Sequence, residues 1–190
     1  MMTNKITSIG IFCGSRKGDI PVYEQAAIEL GKIMAAKNMQ LIYGGGGIGL
    51  MQSVADAVLE NNGIVIGVLP HFLDKKELGH NGITEMIMVN SMSERKEKMA
   101  ELSDAFIALP GGYGTLDELF EMLTYSQLTL HEKPIGILNT NHFYDPLIAQ
   151  LDRMRKDGFL HEVHQKMLIV DNEPVILMNK LNNFYLQNYL

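Results

Sequence analysis

The sequence predicts an α/β fold in which a parallel β-sheet is flanked by helices. Short runs rich in Ile, Val and Leu alternate with longer stretches of helical periodicity. The runs GIVIGVLP and AFIALP are apolar nearly throughout, as are strands that are covered on both faces. Three of the runs lead directly into glycine clusters, where the chain can turn from strand to helix. These observations indicate βα units joined by right-handed crossovers.

The predicted elements alternate along the whole chain. Strands are predicted at residues 6–13, 40–43, 64–69, 85–89, 105–109, 134–138 and 167–170. Helices are predicted at residues 22–37, 49–61, 91–102, 115–130, 143–156 and 175–190. Since no linker, repeat or low-complexity tract interrupts this alternation, residues 1–190 are predicted to form a single domain.

Composition limits the classes of partner. The 190 residues carry a formal net charge of −6, which argues against a general affinity for duplex nucleic acid or an anionic membrane surface. The N-terminus is typical of an opening strand rather than a signal peptide, and no apolar run is long enough to cross a bilayer. The one cysteine, Cys13, cannot form an internal disulfide, which suits a reducing compartment. We therefore expect a cytoplasmic protein without nucleic-acid or membrane partners.

Three glycine-rich loops are predicted to meet at one edge of the sheet. FCGSRKG follows the first strand, YGGGGIGLM the second and LPGGYGTLDE the fifth. The carboxyl ends of parallel strands are where ligands of such sheets bind. Each loop leads towards a helix, whose free N–H groups and dipole favour an anion. Tight turning alone would also use glycine, but three such loops at one edge favour a phosphorylated ligand.

Two common phosphate-binding motifs fit poorly. Gly44, Gly46 and Gly49 match G-x-G-x-x-G, but the next strand closes on Leu69 and Pro70 without the carboxylate that a dinucleotide site requires. No glycine run is followed by Lys-Ser or Lys-Thr, as a P-loop would be. The sequence therefore argues against both an NAD site and a P-loop.

Glu118 and Arg95 are the candidate reactive residues. Glu118 is predicted on the first turn of the helix after the third glycine loop, so its carboxylate can face the same edge, although carboxylates there often only complement the helix dipole. Arg95 lies in NSMSERKEKM, early in the helix after the fourth strand, and offers a planar fork of donors. The alternating charges of ERKEK are equally typical of a solvated helix face.

The segment PGGYGTLDE matches the P-G-G-x-G-T-x-x-E signature of the LOG ("lonely guy") family. Members are cytokinin-activating nucleoside-monophosphate phosphoribohydrolases and are often labelled lysine decarboxylases. The resemblance extends from GIFCGSR through YGGGGIGLM, MSERKEKM and SDAFIALPGGYGTLDELFE to HEKPIGILN. It implies a Rossmann-like fold, a homodimer, and hydrolysis of the N-glycosidic bond of AMP or an N6-substituted AMP to free base and ribose 5-phosphate. No cofactor or metal is expected.

The resemblance also implies roles for individual residues. The catalytic pair of the family falls on Arg95 and Glu118. The implied nucleotide contacts and pocket lining fall on Gly14, Ser15, Gly44, Gly45, Gly46, Glu77, Lys96, Gly111, Gly112, Gly114 and Thr115. Around Glu77, the sequence KKELGHNGIT departs from the family pattern.

Other functions stay open at this point. The protein could be a general AMP nucleosidase, or a non-catalytic binder, such as a nucleotide sensor or one of the molybdenum-cofactor carriers that share related glycine loops. Retention of both Arg95 and Glu118 argues for an enzyme. Decarboxylation is disfavoured, because no pyridoxal phosphate motif surrounds Lys96. A catalytic role for Cys13 and a metal site at His161 and His164, whose spacing of three differs from that of a zincin pair, are disfavoured as well.

Overall fold

All seven predicted strands are present in the computed structural model, which describes residues 6–74 and 78–189, with side chains as far as Tyr185. The strands are β1 (Ser8–Phe12), β2 (Gln40–Tyr43), β3 (Val65–Pro70), β4 (Glu85–Val89), β5 (Ala105–Ala108), β6 (Ile135–Leu138) and β7 (Leu168–Asp171). They form one parallel sheet in the order β4-β3-β2-β1-β5-β6-β7. The parallel sheet predicted from the sequence is therefore confirmed.

The helices lie between the strands, as the alternation predicts. They are α1 (Val22–Ala36), α2 (Gly49–Glu60), α3 (His71–Asp74), α4 (Met92–Leu102), α5 (Tyr113–Gln127), α6 (Asp145–Lys156), α7 (Glu162–Gln165) and α8 (Pro174–Tyr189), with a 3₁₀ turn at Thr140–His142. The four-residue helices α3 and α7 were not predicted, because one turn is too short to show a hydrophobic period. Helix α5 begins two residues before its predicted start, inside the glycine signature.

The sheet is covered on both faces. One core cluster joins the sheet to α1, α2 and α8, through side chains such as Leu30, Val54 and Leu177. The other joins it to α4 and α5, through side chains such as Met99 and Leu119. Two-sided burial explains why the strands are nearly continuously apolar. No helix in the described ranges is long and apolar enough to span a membrane.

The order of the strands reverses at β1. The chain builds β2, β3 and β4 outward on one side of β1, and α4 then returns it to β5 on the other side. The loops after β1 and β5 diverge at such a switch point and leave a crevice where ligands of open α/β sheets bind. Across it, the amide of Gly14 donates to the carbonyl of Pro110 at 3.1 Å. This bond holds the first and third glycine loops together.

Candidate active site

A cavity of about 380 Å³ opens beyond the carboxyl ends of the central strands. All three glycine loops contribute backbone to its wall, and Arg95 and Glu118 reach it from α4 and α5. The rest of the wall is largely apolar, from the side chains of Ile48, Met51, Leu69, Leu73 and Leu78. The cavity therefore combines a glycine-lined polar end, one cation–carboxylate pair and an apolar end.

The start of α4 fixes the position of Arg95. Ser91 caps the helix by accepting from the amide of Glu94 at 3.1 Å, and the Glu94 carboxylate accepts from the amide of Asn90 at 2.7 Å. The two bonds resemble a capping box, except that Glu94 reaches the amide of the residue before the cap, and they help to set the direction in which α4 leaves β4. Arg95 on the first turn is then aimed across the ends of β3 and β2.

The guanidinium of Arg95 is held at three points, and 11% of the side chain is exposed. It donates to the carbonyl of Val68 at 3.1 Å and to that of Gly44 at 3.3 Å, and it lies 3.2 Å from a carboxylate oxygen of Glu118. A Cβ at Gly44 would overlap the guanidinium, so the arginine can take this position only beside a glycine. Two backbone carbonyls thus orient the arginine independently of the carboxylate.

Glu118 is a buried carboxyl group, with 7% of the residue exposed. Burial raises its pKa to about 7, nearby Asp117 adds to the rise, and Arg95 opposes it. A carboxyl group with this pKa is divided between its acid and base forms near neutral pH, which suits proton transfer. Strongly perturbed carboxyl groups in clefts are typical of functional sites.

The third glycine loop forms the first turn of α5. A Cβ at Gly111 would overlap Thr115, so the fold itself needs glycine at this position. At Gly112 and Gly114 a Cβ would meet no protein atom within 4 Å. These two glycines border the cavity, where the first N–H groups of α5 have no acceptor within the helix. The absence of side chains there leaves space for a group outside the protein, and the helix end favours an anion.

The other two glycine loops are packed against each other. The carbonyl of Gly14 accepts from the amide of Leu50 at 3.1 Å. Gly49, with φ of 65°, lies so close to the backbone of Ser15 that no side chain fits between them. Gly14 and Ser15 also border a neighbouring cavity of about 360 Å³, whose wall includes Tyr23 and Phe143.

The structure brings most of the predicted site residues to the main cavity. Those on its wall are Gly14, Ser15, Gly44, Gly46, Arg95, Gly112, Gly114, Thr115 and Glu118. Gly111 borders the neighbouring cavity instead. Gly45, with φ of 74°, is not on this wall, and a Cβ there would meet Met86 and Leu69. Glu77 lies outside the described residues.

Lys96 lies away from the cavity wall. Its ammonium group is 3.1 Å from Asp117 and 3.2 Å from Glu121, both on α5, and the side chain is only 16% exposed. A nucleotide contact by Lys96 stays a prediction, and the structure places this residue in a network between two helices.

The apolar end of the cavity was not anticipated from the sequence. Leu73 lies on the short helix α3 and Leu78 in the segment after it, and neither position shows a periodic pattern. Cys13 also borders the cavity, where burial and the neighbouring Glu118 carboxylate raise the pKa of its thiol. A neutral thiol is a poor nucleophile.

Comparison with known proteins identifies the family. A family model described as "Possible lysine decarboxylase" matches residues 51–181. The chain is 45% identical over 181 residues to the cytokinin riboside 5′-monophosphate phosphoribohydrolase LOG of Oryza sativa subsp. japonica, covering 95% of this chain and 75% of that protein. It is 40% identical over 184 residues to LOG3, of the same description, from Arabidopsis thaliana, covering 97% and 86%. The chain belongs to the LOG family.

Solved structures of low sequence identity share the LOG fold seen here. The molybdenum cofactor binding protein of Rippkaea orientalis superposes with a TM-score of 0.72 at 20% identity, covering 95% of this chain and 98% of that one. The molybdenum cofactor carrier protein of Chlamydomonas reinhardtii gives 0.71 at 22% identity, with the same coverage. This likeness confirms the predicted Rossmann-like fold.

In the described part of the chain, no group of three or more His, Cys, Asp or Glu side chains could hold a metal ion.

Proposed function

We propose that this protein hydrolyses the N-glycosidic bond of N6-substituted adenosine 5′-monophosphates, releasing a free cytokinin-type base and ribose 5-phosphate. The curated relatives named above carry this activity in their names. The observation that carries the proposal is the buried Arg95–Glu118 pair, which lies on one cavity wall with a glycine-lined helix start. A carboxyl group, a fixed cation and an anion site are the three components that such a reaction needs.

The 5′-phosphate binds at the start of α5. The N–H groups there point outward from Gly112 to Thr115, and the helix dipole favours negative charge. The open space beside Gly112 and Gly114 lets phosphate oxygens approach the backbone. Ser15 on the facing loop supplies a further hydroxyl donor. Binding energy from this non-reacting group holds the sugar in place for the chemical step.

Glu118 and Arg95 act on the bond between C1′ and the base. As this bond breaks, its electron pair leaves with the base and positive charge develops on the ribose ring. The ionised form of Glu118, one turn along α5 from the phosphate, stabilises that charge and accepts a proton from the water whose oxygen bonds to C1′. The proton then passes to the nitrogen of the departing base, so that the base leaves neutral and Glu118 is ionised again. Arg95 holds the carboxylate in position and offers its remaining donors to the ribose or the departing base.

The base occupies the apolar end of the cavity. Ile48, Met51, Leu69, Leu73 and Leu78 present only carbon and sulfur side-chain atoms to a ligand. Burial of an apolar N6-substituent against them contributes about 25 cal/mol for each Å² removed from water. This wall therefore favours N6-alkylated purines over unsubstituted adenine.

The proposal is tested by incubating the purified protein with AMP and with isopentenyladenosine 5′-monophosphate and measuring free base by chromatography. We expect release from the isopentenyl nucleotide, with a lower kcat/KM for AMP. Glu118→Gln and Arg95→Ala should each lower kcat by about 100-fold or more, because each removes a group that acts on the reacting bond. Glu29→Gln, on an exposed face of α1, is the matched control and should leave turnover unchanged.

Three results would count against this function. Near-normal turnover by Glu118→Gln or Arg95→Ala would show that the proposed roles of these two residues are wrong. Equal kcat/KM for the two nucleotides would favour a general AMP nucleosidase. Binding of both without base release would indicate a non-catalytic nucleotide binder.

A further inference from the structure

We propose that His80 is a positioning residue, whose hydrogen bond to Asp56 holds Leu78 at the apolar end of the cavity and thereby sets the preference for an N6-substituted base. The inference rests on the proposed function for the identity of its substrate. It deepens that function, because it names a pair of residues outside the cavity wall that determines specificity.

The segment from Leu78 to His80 is paired with the second glycine loop. The amide of Gly47 donates to the carbonyl of Leu78 at 2.8 Å, and the amide of His80 donates to the carbonyl of Gly45 at 2.9 Å. An antiparallel bridge lies between these two bonds. The pairing places Leu78 on the cavity wall. An isolated pairing of two short strands is marginally stable, so side-chain contacts decide whether this one persists.

The imidazole of His80 supplies such a contact. Its Nδ1 atom accepts from the amide of Gly82 at 3.0 Å, so the ring hydrogen lies on Nε2. Nε2 donates to a carboxylate oxygen of Asp56 at 2.9 Å. Only 12% of the His80 side chain is exposed, which shields this bond from competing water. Both ring nitrogens are therefore bonded within the protein, and neither His80 nor Asp56 is on the cavity wall.

Asp56 connects the segment to a second part of the same wall. It lies on α2, whose N-cap is Ile48 and whose first turn contains Met51. Ile48 and Met51 line the apolar end together with Leu78. The His80–Asp56 bond therefore fixes the distance between the segment that carries Leu78 and the helix that carries Met51. A gap of about 0.5–1 Å forfeits about a quarter to a half of the dispersion attraction of a contact.

Loss of this bond should affect the two nucleotides unequally. An isopentenyl substituent depends on close contact with the apolar wall, whereas AMP has no group there to lose contact. The reactive pair has its own supports, because Arg95 bonds to the carbonyl of Val68 and to Glu118 without involving the segment. We therefore expect selectivity to fall while the chemical step is kept.

The test measures kcat and KM of the full-length protein for isopentenyladenosine 5′-monophosphate and for AMP. In His80→Ala, the ratio of the two kcat/KM values should fall about fivefold or more, through a higher KM for the isopentenyl nucleotide, with kcat/KM for AMP within about twofold of wild type. His80→Gln keeps a donor near the position of Nε2 and should recover most of the ratio.

His142→Asn is the matched control. It disrupts a second His–Asp pair, with Asp145 at 3.2 Å, in which both side chains are exposed. Asn tolerates the positive φ of 59° at this position. The ratio should stay at its wild-type value. An unchanged ratio in His80→Ala would overturn the inference, and so would an equal loss of kcat/KM for both nucleotides, because a purely structural role predicts that result.

Asp56→Ala covers the case in which His80→Ala does not fold. Asp56 is 42% exposed, and alanine is the most favourable residue within a helix, so the fold should persist. This variant should lower the ratio as His80→Ala does, and the double variant should lower it no further, because either change removes the same bond. A larger loss in the double variant would show that the two residues act separately and would overturn the inference.

Failure of the proposed function can be told apart from failure of this inference. The amide of Gly47 donates to Leu78, so its hydrogen exchange reports on the segment without any nucleotide. We expect exchange to become about tenfold faster or more in His80→Ala and Asp56→Ala. If no variant releases a base, the proposed function fails, and this exchange together with the ratio of the Kd values of the two nucleotides in calorimetry decides the inference. Unchanged exchange or an unchanged Kd ratio would overturn it.

Discussion

Replacing Glu118 by Gln should stabilise the protein at alkaline pH. The pKa of Glu118 rises from 4.5 in the unfolded chain to about 7 in the folded state, chiefly because burial disfavours its charged form. A group whose pKa is raised on folding contributes stability at acid pH that is lost as the pH rises through the folded value. The difference of about 2.5 units corresponds to about 3 kcal/mol at pH 8, at 1.36 kcal/mol for each unit. Gln keeps the shape of the side chain and removes this cost.

The effect is measured by urea unfolding of wild type and Glu118→Gln at pH 5 and pH 8. We expect the variant to be more stable by up to about 3 kcal/mol at pH 8 and by about 1 kcal/mol or less at pH 5. Because about 1 kcal/mol moves the Tm of a domain of this size by roughly 2–4 °C, the gain at pH 8 is also visible in a thermal scan. The control Glu29→Gln should show no such pH dependence. Equal stability of Glu118→Gln and wild type at both pH values would refute the reasoning.

Three further outcomes follow from the geometry of the site. The kcat/KM of the wild type should rise with pH to a plateau, with a midpoint near pH 7, because the ionised form of Glu118 is the active one; a flat profile would contradict that role. Gly114→Ala should stabilise α5 by up to about 1 kcal/mol in chemical unfolding, yet weaken AMP binding about tenfold or more in calorimetry. Gly111→Ala, in contrast, should destabilise the fold by about 1–3 kcal/mol. Gly44→Ala should displace Arg95 and lower kcat about 100-fold with little loss of helix content in circular dichroism; unchanged kcat would show that the arginine is dispensable.

The strands could be predicted because both faces of the sheet are covered. The run AFIALP contains β5, in which all four residues are buried, so no polar position breaks its apolar pattern. The end of α5 was less well predicted: the helix stops at Gln127, and Thr129 takes φ of 57° beyond it. The sequence after Gln127 remains rich in Leu, so its pattern does not show where the helix ends. Such boundaries depend on packing that periodicity does not report.

The orientation of Arg95 could not be decided from charge pattern. ERKEK fits a solvated helix as well as a site, and the alternation of charges is the same in both cases. The deciding contacts are the carbonyls of Val68 and Gly44, at the ends of strands that lie far away in sequence. The contacts of Lys96 could not be predicted either, because its carboxylate partners lie on α5 and meet it only when the two helices pack together.

Two features of the site cost folding free energy, and both border the same cavity. Glu118 is buried with a carboxyl group that resists ionisation, although a Gln would fill the same space. Gly114 occupies a helix position where alanine is more favourable by up to about 1 kcal/mol, although no protein atom excludes a Cβ. Neither feature is required by the packing of the fold, whereas Gly111 is required by the neighbouring Thr115 and Gly14, and Gly44 by the position of the Arg95 guanidinium. Costs that packing does not explain are expected where a chain is adapted to a ligand and a reaction. Their convergence on one cavity, beside a fixed guanidinium, argues that this cavity is where the nucleotide is bound and cleaved.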